Sequence, residues 1–441
     1  MKKIFVKKIV LLTATLLVLF IAAEIFFRAY YSYTGQFVAA DDIEHCLKEL
    51  KLKKLPTDKV NFVNFTRVDR WDYDPLIGAT SKKNYNEDHI ERQIVNGKTI
   101  HQIMYDQHHH NNQGMVNLEN FTLYKTANVS VRIALFGDSF TCGDQAPLLY
   151  SMGYVLKALI NKSEVLNLCV SGRGIDTMYA RYILEGKNYS PDVVWFNIFV
   201  DDLARAFVCP LETPNLTIAN GRLVLGPRLY RNAKELYDKY QPPTVESFFV
   251  KHALSVYDQH TRHARNMAKG LALLDVMLNE MKRHTKEANS TFFVSAIQAP
   301  NPNPLQVYYY QQIKELATRK NIPFFDSNTY FKTNNELYHN QSFYYFKEGR
   351  GLGHYSVIGN ALHAQGMKEV MASTGIIPIT TNYYFANFHA SNPLLLIPED
   401  FGPNKQNFRT LLSYSISTEN VSTLYSNATI NVIDRRIENF E

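Results

Sequence analysis

Two widely separated parts of this sequence carry side chains and turns suited to nucleophilic chemistry. In Ile133-Ala-Leu-Phe-Gly-Asp-Ser-Phe-Thr-Cys-Gly143 an apolar run breaks abruptly into Gly-Asp-Ser and then leads into a segment of helical character. Ser139 therefore stands at a strand-to-helix turn. There a hydroxyl projects beyond the sheet, beside backbone N–H groups that the first helical turn leaves unpaired and that can hold a developing oxyanion. Taken alone, a Gly-Asp-Ser tripeptide is also a common helix-capping loop. A serine nucleophile needs a base, and usually a third group to orient that base. His354, in Gly351-Leu-Gly-His-Tyr-Ser-Val-Ile-Gly-Asn360, is the best placed base. It follows a glycine-rich turn and precedes a helix whose Ala361, Ala364 and Met367 form an apolar face.

These residues need a scaffold that ends several strands at one edge, and the hydropathy pattern supplies it. Strands are expected over 131–136, 164–170, 192–200, 291–297 and 322–325. Helices are expected over 148–160, 175–184, 260–286, 304–319 and 357–371. Strands alternating with crossover helices pair in parallel, so the expected fold is a three-layer α/β/α sandwich around a mainly parallel five-stranded sheet. Ligands in such folds bind beyond the carboxyl ends of the strands. Ser139, Gly172, Asp201 and Asp326 each lie just past an expected strand.

The Gly-Asp-Ser block resembles the first signature of the SGNH/GDSL esterase and acyltransferase family, particularly its membrane-anchored members. The resemblance covers roughly residues 110 to 373. It makes Ser139 the nucleophile and His354 the base, and it requires no cofactor. The second block is matched by Asn167-Leu-Cys-Val-Ser-Gly172-Arg-Gly174, where the resemblance assigns Gly172 as a backbone oxyanion donor. Its alternative is a plain turn glycine, a role shared with Gly174. Asn112-Gln-Gly-Met115 resembles a turn that precedes the nucleophile block in the anchored members.

Two departures stand out. The third block ends in Asn-Asp in the family, and its Asn donates to the oxyanion. Here Phe199-Val-Asp201-Asp202-Leu203 puts Asp201 in that place. An ionised carboxylate repels an oxyanion and donates nothing, so Asp201 serves only if its pKa is strongly raised. Asn197 is an alternative donor, although a mid-strand side chain is expected to point into the sheet packing. The family also places an Asp two or three residues before the histidine, where this chain has Leu352 and Gly351. Glu348, Asp326 or a backbone carbonyl remain as orienting groups.

The composition bounds the rest. At 441 residues, 46% hydrophobic and with a net charge of +6, the chain can bury a large core, and no basic stripe or zinc spacing points to nucleic acid. Lys2, Lys3, Lys7 and Lys8 precede an apolar run from Ile9 to Phe27 that is long enough to cross a bilayer. Glu24 and Arg28 fall at its outer edge. The lysines place the N-terminus in the cytoplasm and the rest of the chain outside it. A signal peptide cleaved after Ala23 is the competing reading, and it also exports the chain; Ile21 is a poor residue two places before such a site.

The expected organisation is a basic N-terminus over 1–8, an anchor over 9–27 and a polar irregular linker over 28–128. An α/β domain over 129–374, with an insert at 205–250, and a C-terminal extension over 375–441 follow. Four cysteines, Cys46, Cys142, Cys169 and Cys209, meet an oxidising compartment. One disulfide is expected among the last three, with its pairing open. Adjacent residues His108, His109 and His110 on a polar loop do not converge as metal ligands do. Sequons such as Asn64, Asn128, Asn215 and Asn427 carry meaning only in a eukaryotic secretory pathway.

The leading functional reading is an exported, membrane-anchored serine esterase or O-acyltransferase acting on an ester-bearing glycan or lipid. The alternatives are a catalytically impaired domain that binds a glycan or protein in the same cleft, and a purely structural exported protein.

Overall fold

The computed structural model describes residues 2–34, 70–95, 98–144, 146, 148–227, 247–334, 353–378 and 430–437, with Cys46 and Glu235 as single positions. Helix α1 (Lys2–Thr34) is long and apolar enough to cross a membrane, and its leucines and valines between Val10 and Leu19 are exposed. Two hairpins follow, β1 (Trp71–Asp74) with β2 (Gly78–Ser81) and β3 (Tyr85–Val95) with β4 (Lys98–His110).

The central elements then run β5 (Val131–Gly137), α2 (Ser139–Cys142), α3 (Met152–Leu159), β6 (Ser163–Asn167), α4 (Ile175–Leu184), β7 (Val193–Phe199) and α5 (Asp202–Arg205). A small hairpin of β8 (Asn215–Ala219) and β9 (Arg222–Gly226) precedes the long helix α6 (Phe248–Glu287). The chain continues through β10 (Thr291–Ile297), α7 (Pro304–Arg319), β11 (Phe324–Asp326), α8 (Ser327–Asn334) and α9 (Val357–Ser373). A last strand, β12 (Ile430–Ile437), pairs in parallel with β3.

The main sheet has five strands in the order β11-β10-β7-β5-β6, all parallel. Successive side chains of a strand point to opposite faces, and here both faces are apolar. From β5 and β7, Ala134, Phe136, Val194, Phe196 and Ile198 join a core built with α4, α6 and α7. Ile133, Leu135, Val193, Trp195 and Phe199 join another with α3 and α9. The expected three-layer sandwich is the observed one.

Several expectations are corrected. The stretch expected as an irregular linker contains the four strands of the two hairpins. They leave no continuous apolar run because much of each strand is polar, and none of them joins the central sheet. The α/β unit also begins before residue 129: Met115 and Phe121 lie in its core, and Val116 N donates to Asn167 O at 2.9 Å. The Asn117 side chain accepts from Asn167 N at 2.9 Å and donates to Val165 O at 3.0 Å. These bonds cover the free edge of β6, which an exposed sheet would leave as a pairing template.

The long helix starts at Phe248 rather than 260, because its first turns pack on α1, where the sheet-facing periodicity has no bearing. The insert contains the β8–β9 hairpin, which turns at Asn220 and Gly221, both with positive φ. The three adjacent histidines end strand β4 and are buried: His108 bonds Arg70 at 2.7 Å, and His110 Nδ1 meets Lys82 O at 2.9 Å. Among the described residues no group of three His, Cys, Asp or Glu side chains converges as a metal site. Glu348, Gly351, Leu352, Asn64, Asn427, Lys48–Lys54, the turn at 241–243 and most of 375–441 lie outside the described residues.

Candidate active site

The turn that carries Ser139 is built from local constraints. A Cβ on Gly137 would meet Thr141 Oγ1 at 1.9 Å, so only glycine allows β5 to end against its own following helix. Asp138 caps that helix, its Oδ1 accepting from Phe140 N at 3.0 Å. Ser139 thereby becomes the first residue of α2, with a backbone N–H that has no intrahelical partner. It is 6% exposed.

His354 comes from a distant part of the chain, just ahead of α9. That helix is capped by Ser356, which accepts from Gly359 N at 3.3 Å. The histidine ring lies 5.0 Å from the Phe140 ring, and Phe140 in turn stacks on Phe199 at 4.8 Å. His354 Nε2 stands 2.7 Å from Ser139 Oγ. With the serine hydroxyl donating to Nε2, the imidazole proton resides on Nδ1. That atom is buried and has no acceptor among the described residues.

Asp326 does not supply the acceptor. Its carboxylate takes bonds from Tyr310 OH at 2.6 Å, Lys314 Nζ at 2.8 Å and Thr329 N at 3.0 Å. Burial pushes this carboxyl up, but Lys314 and Tyr310 more than offset that and hold it below its ordinary value.

The Gly172 loop is tied to the Ser139 turn at several points. Leu168 N and Val170 N donate to Leu135 O and Gly137 O at 2.8 and 2.9 Å, continuing the strand pairing past β6. Asn167 Nδ2 reaches Thr141 O at 2.9 Å, and Ser171 Oγ reaches Asp144 Oδ1 at 2.9 Å. A disulfide joins Cys142 to Cys169, and a second joins Cys46 to Cys209. Gly172 itself has φ +71, a conformation that favours glycine, and open space where a side chain would stand.

Asp201 is turned elsewhere. Gln306 Nε2 donates to its two oxygens at 3.2 and 3.0 Å, and His263 Nε2 lies 3.4 Å from Oδ1. Burial pushes the Asp201 carboxyl up, yet hydrogen bonds from His263 and Gln306 outweigh that and hold it below the usual carboxylate range. The strongly raised pKa that an oxyanion donor would require is absent, so Asp201 is ionised at neutral pH. Asn197 lies inside the sheet packing, fully buried, bonded to Ser295 Oγ and facing His363 Nε2 at 3.3 Å.

Arg205 is a further residue of the site that no sequence motif marks. Its Nη1 bridges Asp138 Oδ2 at 2.6 Å and Asp202 Oδ1 at 2.7 Å, and Asp138 Oδ2 is 3.3 Å from Ser139 Oγ. Burial and the neighbouring Asp138 push the Asp202 carboxyl well up, against the pull of Arg205. One cation thus joins the residue before Ser139 to the start of α5. No local pattern could have shown this, because the partners come from two different strand ends.

No family model matches the chain, and no curated protein does. Among solved structures, the chain is similar to a lipolytic protein of the G-D-S-L family from Desulfitobacterium hafniense DCB-2, with 13% identity over 54% of this chain and 99% of the other, and a TM-score of 0.33. It is similar to an acetylxylan esterase from Geobacillus stearothermophilus, with 16% identity over 56% of this chain and 96% of the other, and a TM-score of 0.35. A third is an α/β hydrolase from the metagenome of Lake Arreo, Spain, with 13% identity over 57% and 98% and a TM-score of 0.34.

Proposed function

We propose that the chain is a serine hydrolase of the SGNH/GDSL type, an esterase or O-acyltransferase working through an acyl-serine. The observation that carries this reading is the 2.7 Å contact between Ser139 Oγ and His354 Nε2 at the carboxyl edge of a parallel sheet. His354 Nε2 takes the hydroxyl proton as Ser139 Oγ adds to the ester carbonyl. The N–H groups of Ser139 and Gly172 receive the oxyanion. The tetrahedral adduct collapses, the alkoxide leaves with the proton from Nε2, and the acyl group stays on Ser139. Water or a second hydroxyl, activated by the same nitrogen, then takes the acyl group.

Asp201 supplies no donor in this scheme. Lack of one donor raises the barrier by about 2.7–4 kcal/mol relative to a complete oxyanion site, so a slow enzyme is expected. Helix α1 serves as an uncleaved anchor, with the N-terminal lysines in the cytoplasm and the α/β domain outside. The substrate is an ester on an envelope glycan or lipid.

Two observations favour a second reading, a binding domain with an impaired site: the buried His354 Nδ1 without an acceptor among the described residues, and the ionised Asp201. Hydrolysis of umbelliferyl acetate by wild type, Ser139→Ala and His354→Ala decides between them. The enzyme reading expects each substitution to lower kcat by at least about a thousandfold. Equal rates in all three proteins refute it.

A further inference from the structure

The long helix α6 sets where the site lies relative to the membrane. A crossover between parallel strands returns antiparallel to them, so the first residues of α6 belong at the carboxyl, catalytic edge of the sheet. The contacts agree. His263 meets Asp201 just past the end of β7, while at the far end Ser290 Oγ meets Pro191 O at 2.5 Å, just before that strand begins. Everything in α6 before His263 therefore overhangs the catalytic edge.

The tip of that overhang is joined to α1. Glu24 Oε2 accepts from Ser247 Oγ at 2.8 Å and from Phe249 N at 3.0 Å, so a carboxylate of the apolar segment completes the N-terminal cap of α6. Phe249 packs on Phe20 and Phe27, and His252 stacks on Phe27 at 4.2 Å. Phe20 lies inside the apolar run, so the first turn of α6 enters the level of the outer leaflet. Val250 and Tyr257, 43% and 65% exposed, continue an apolar and amphipathic surface along the overhang, as suits a helix leaving a bilayer through its headgroup layer. From His252, at the edge of the span, to His263, beside the site, the helix rises about 16 Å.

We infer that the catalytic edge faces the bilayer at about this distance along α6, and that the site serves an ester borne on a polar chain projecting from a membrane lipid. This rests on the esterase reading and on α1 as the anchor. It excludes the acyl ester of an ordinary glycerolipid, which lies at or below the headgroup layer. A lipid-borne glycan of a few sugar units has the reach required.

The test uses the full chain reconstituted in vesicles of equal parts phosphatidylethanolamine and phosphatidylglycerol. Umbelliferyl acetate is presented free, attached directly to the lipid headgroup, or attached through an ethylene glycol spacer of about 16 Å. The spacer-borne ester is expected to turn over at least about tenfold faster than the directly attached one, because only it gains the effective concentration of a reachable tether. Glu24→Gln, which weakens the joint between α1 and α6, is expected to narrow that ratio to within about twofold, with hydrolysis of the free ester unchanged. Equal rates for the two tethered esters in wild type, or an undiminished ratio in Glu24→Gln, overturn the inference.

If wild type fails on the free ester, the esterase reading has failed, and spin labels decide the geometry separately. A nitroxide at Tyr257→Cys is expected in the headgroup layer, relaxed by oxygen, and one at Ala268→Cys in water, relaxed by a nickel chelate. Both labels in water refute the placement.

Discussion

Replacing Cys142 and Cys169 together by alanine tests how the two halves of the site are held. The half-cystines flank the chemistry: Cys142 ends the helix that Ser139 begins, and Cys169 lies on the loop that leads to Gly172. The bond closes a loop of sequence separation 27, and chain entropy for a loop of that size gives about 3.5 kcal/mol of stability. The hydrogen bonds from Asn167 to Thr141 and from Ser171 to Asp144 remain, so the fold is expected to persist with a looser join.

Urea unfolding followed by the fluorescence of the fully buried Trp195 measures the first effect, with the Cys46–Cys209 bond left intact as an internal control. The unfolding free energy is expected to fall by about 3.5 kcal/mol, with a somewhat steeper slope because the freed denatured chain exposes more surface. On the ester, kcat is expected to fall at least about tenfold with KM little changed, since a loosened donor affects the oxyanion more than the bound ground state. A stability loss below about 1 kcal/mol together with an unaltered kcat would mean that the bond does not hold the two turns together.

Other substitutions probe single contacts. Asp326→Asn is expected to leave kcat/KM within about twofold, because Asp326 is bonded to Tyr310 and Lys314 and not to His354; a loss near that of His354→Ala would show otherwise. Asp201 raises the His263 pKa through their hydrogen bond, so Asp201→Asn should bring the His263 titration back toward the ordinary value near 6.5, read by NMR. The sign of the linkage follows. Stability from the raised His263 is fully present below about pH 6.5 and is lost as pH rises through its folded value; that from the lowered Asp201 is present above about pH 3.9 and is lost as pH falls through its own folded value. Chemical denaturation across pH should therefore show the pair's contribution as a plateau in the acid range that Asp201→Asn removes. Gly174→Ala places a Cβ 2.5 Å from Ala206 N and 2.7 Å from Asp202 O, both backbone, and should destabilise by about 1–3 kcal/mol in urea unfolding.

The sheet and its crossovers were legible because each leaves a local signature. Thr291–Ile297 and Pro304–Arg319 have the bounds that an apolar run and an Asn303-Pro304 helix start suggest. Ser139 stands out at a turn between an apolar run and a helix, His354 after a glycine-rich turn ahead of a helix, and the structure brings them together. What escaped were features set by distant partners. The first turns of α6 depend on Glu24 and Phe27, the bridging of Asp138 and Asp202 depends on Arg205, and the Cys142–Cys169 pairing depends on two loops meeting at one sheet edge. The β1–β4 strands were missed for another reason, since half-polar strands that pair with each other lack the continuous apolar runs of the central sheet.

The proposed function stands or falls on Ser139 acting as a nucleophile activated by His354. Intact-mass analysis after exposure to a fluorophosphonate measures this directly, with wild type, Ser139→Ala and His354→Ala folded to the same degree by urea unfolding. One phosphonyl adduct is expected in wild type, mapped to Ser139, with none in Ser139→Ala and strongly slowed labelling in His354→Ala. A folded wild type that takes up no label, or an adduct that persists in Ser139→Ala, contradicts this role of Ser139.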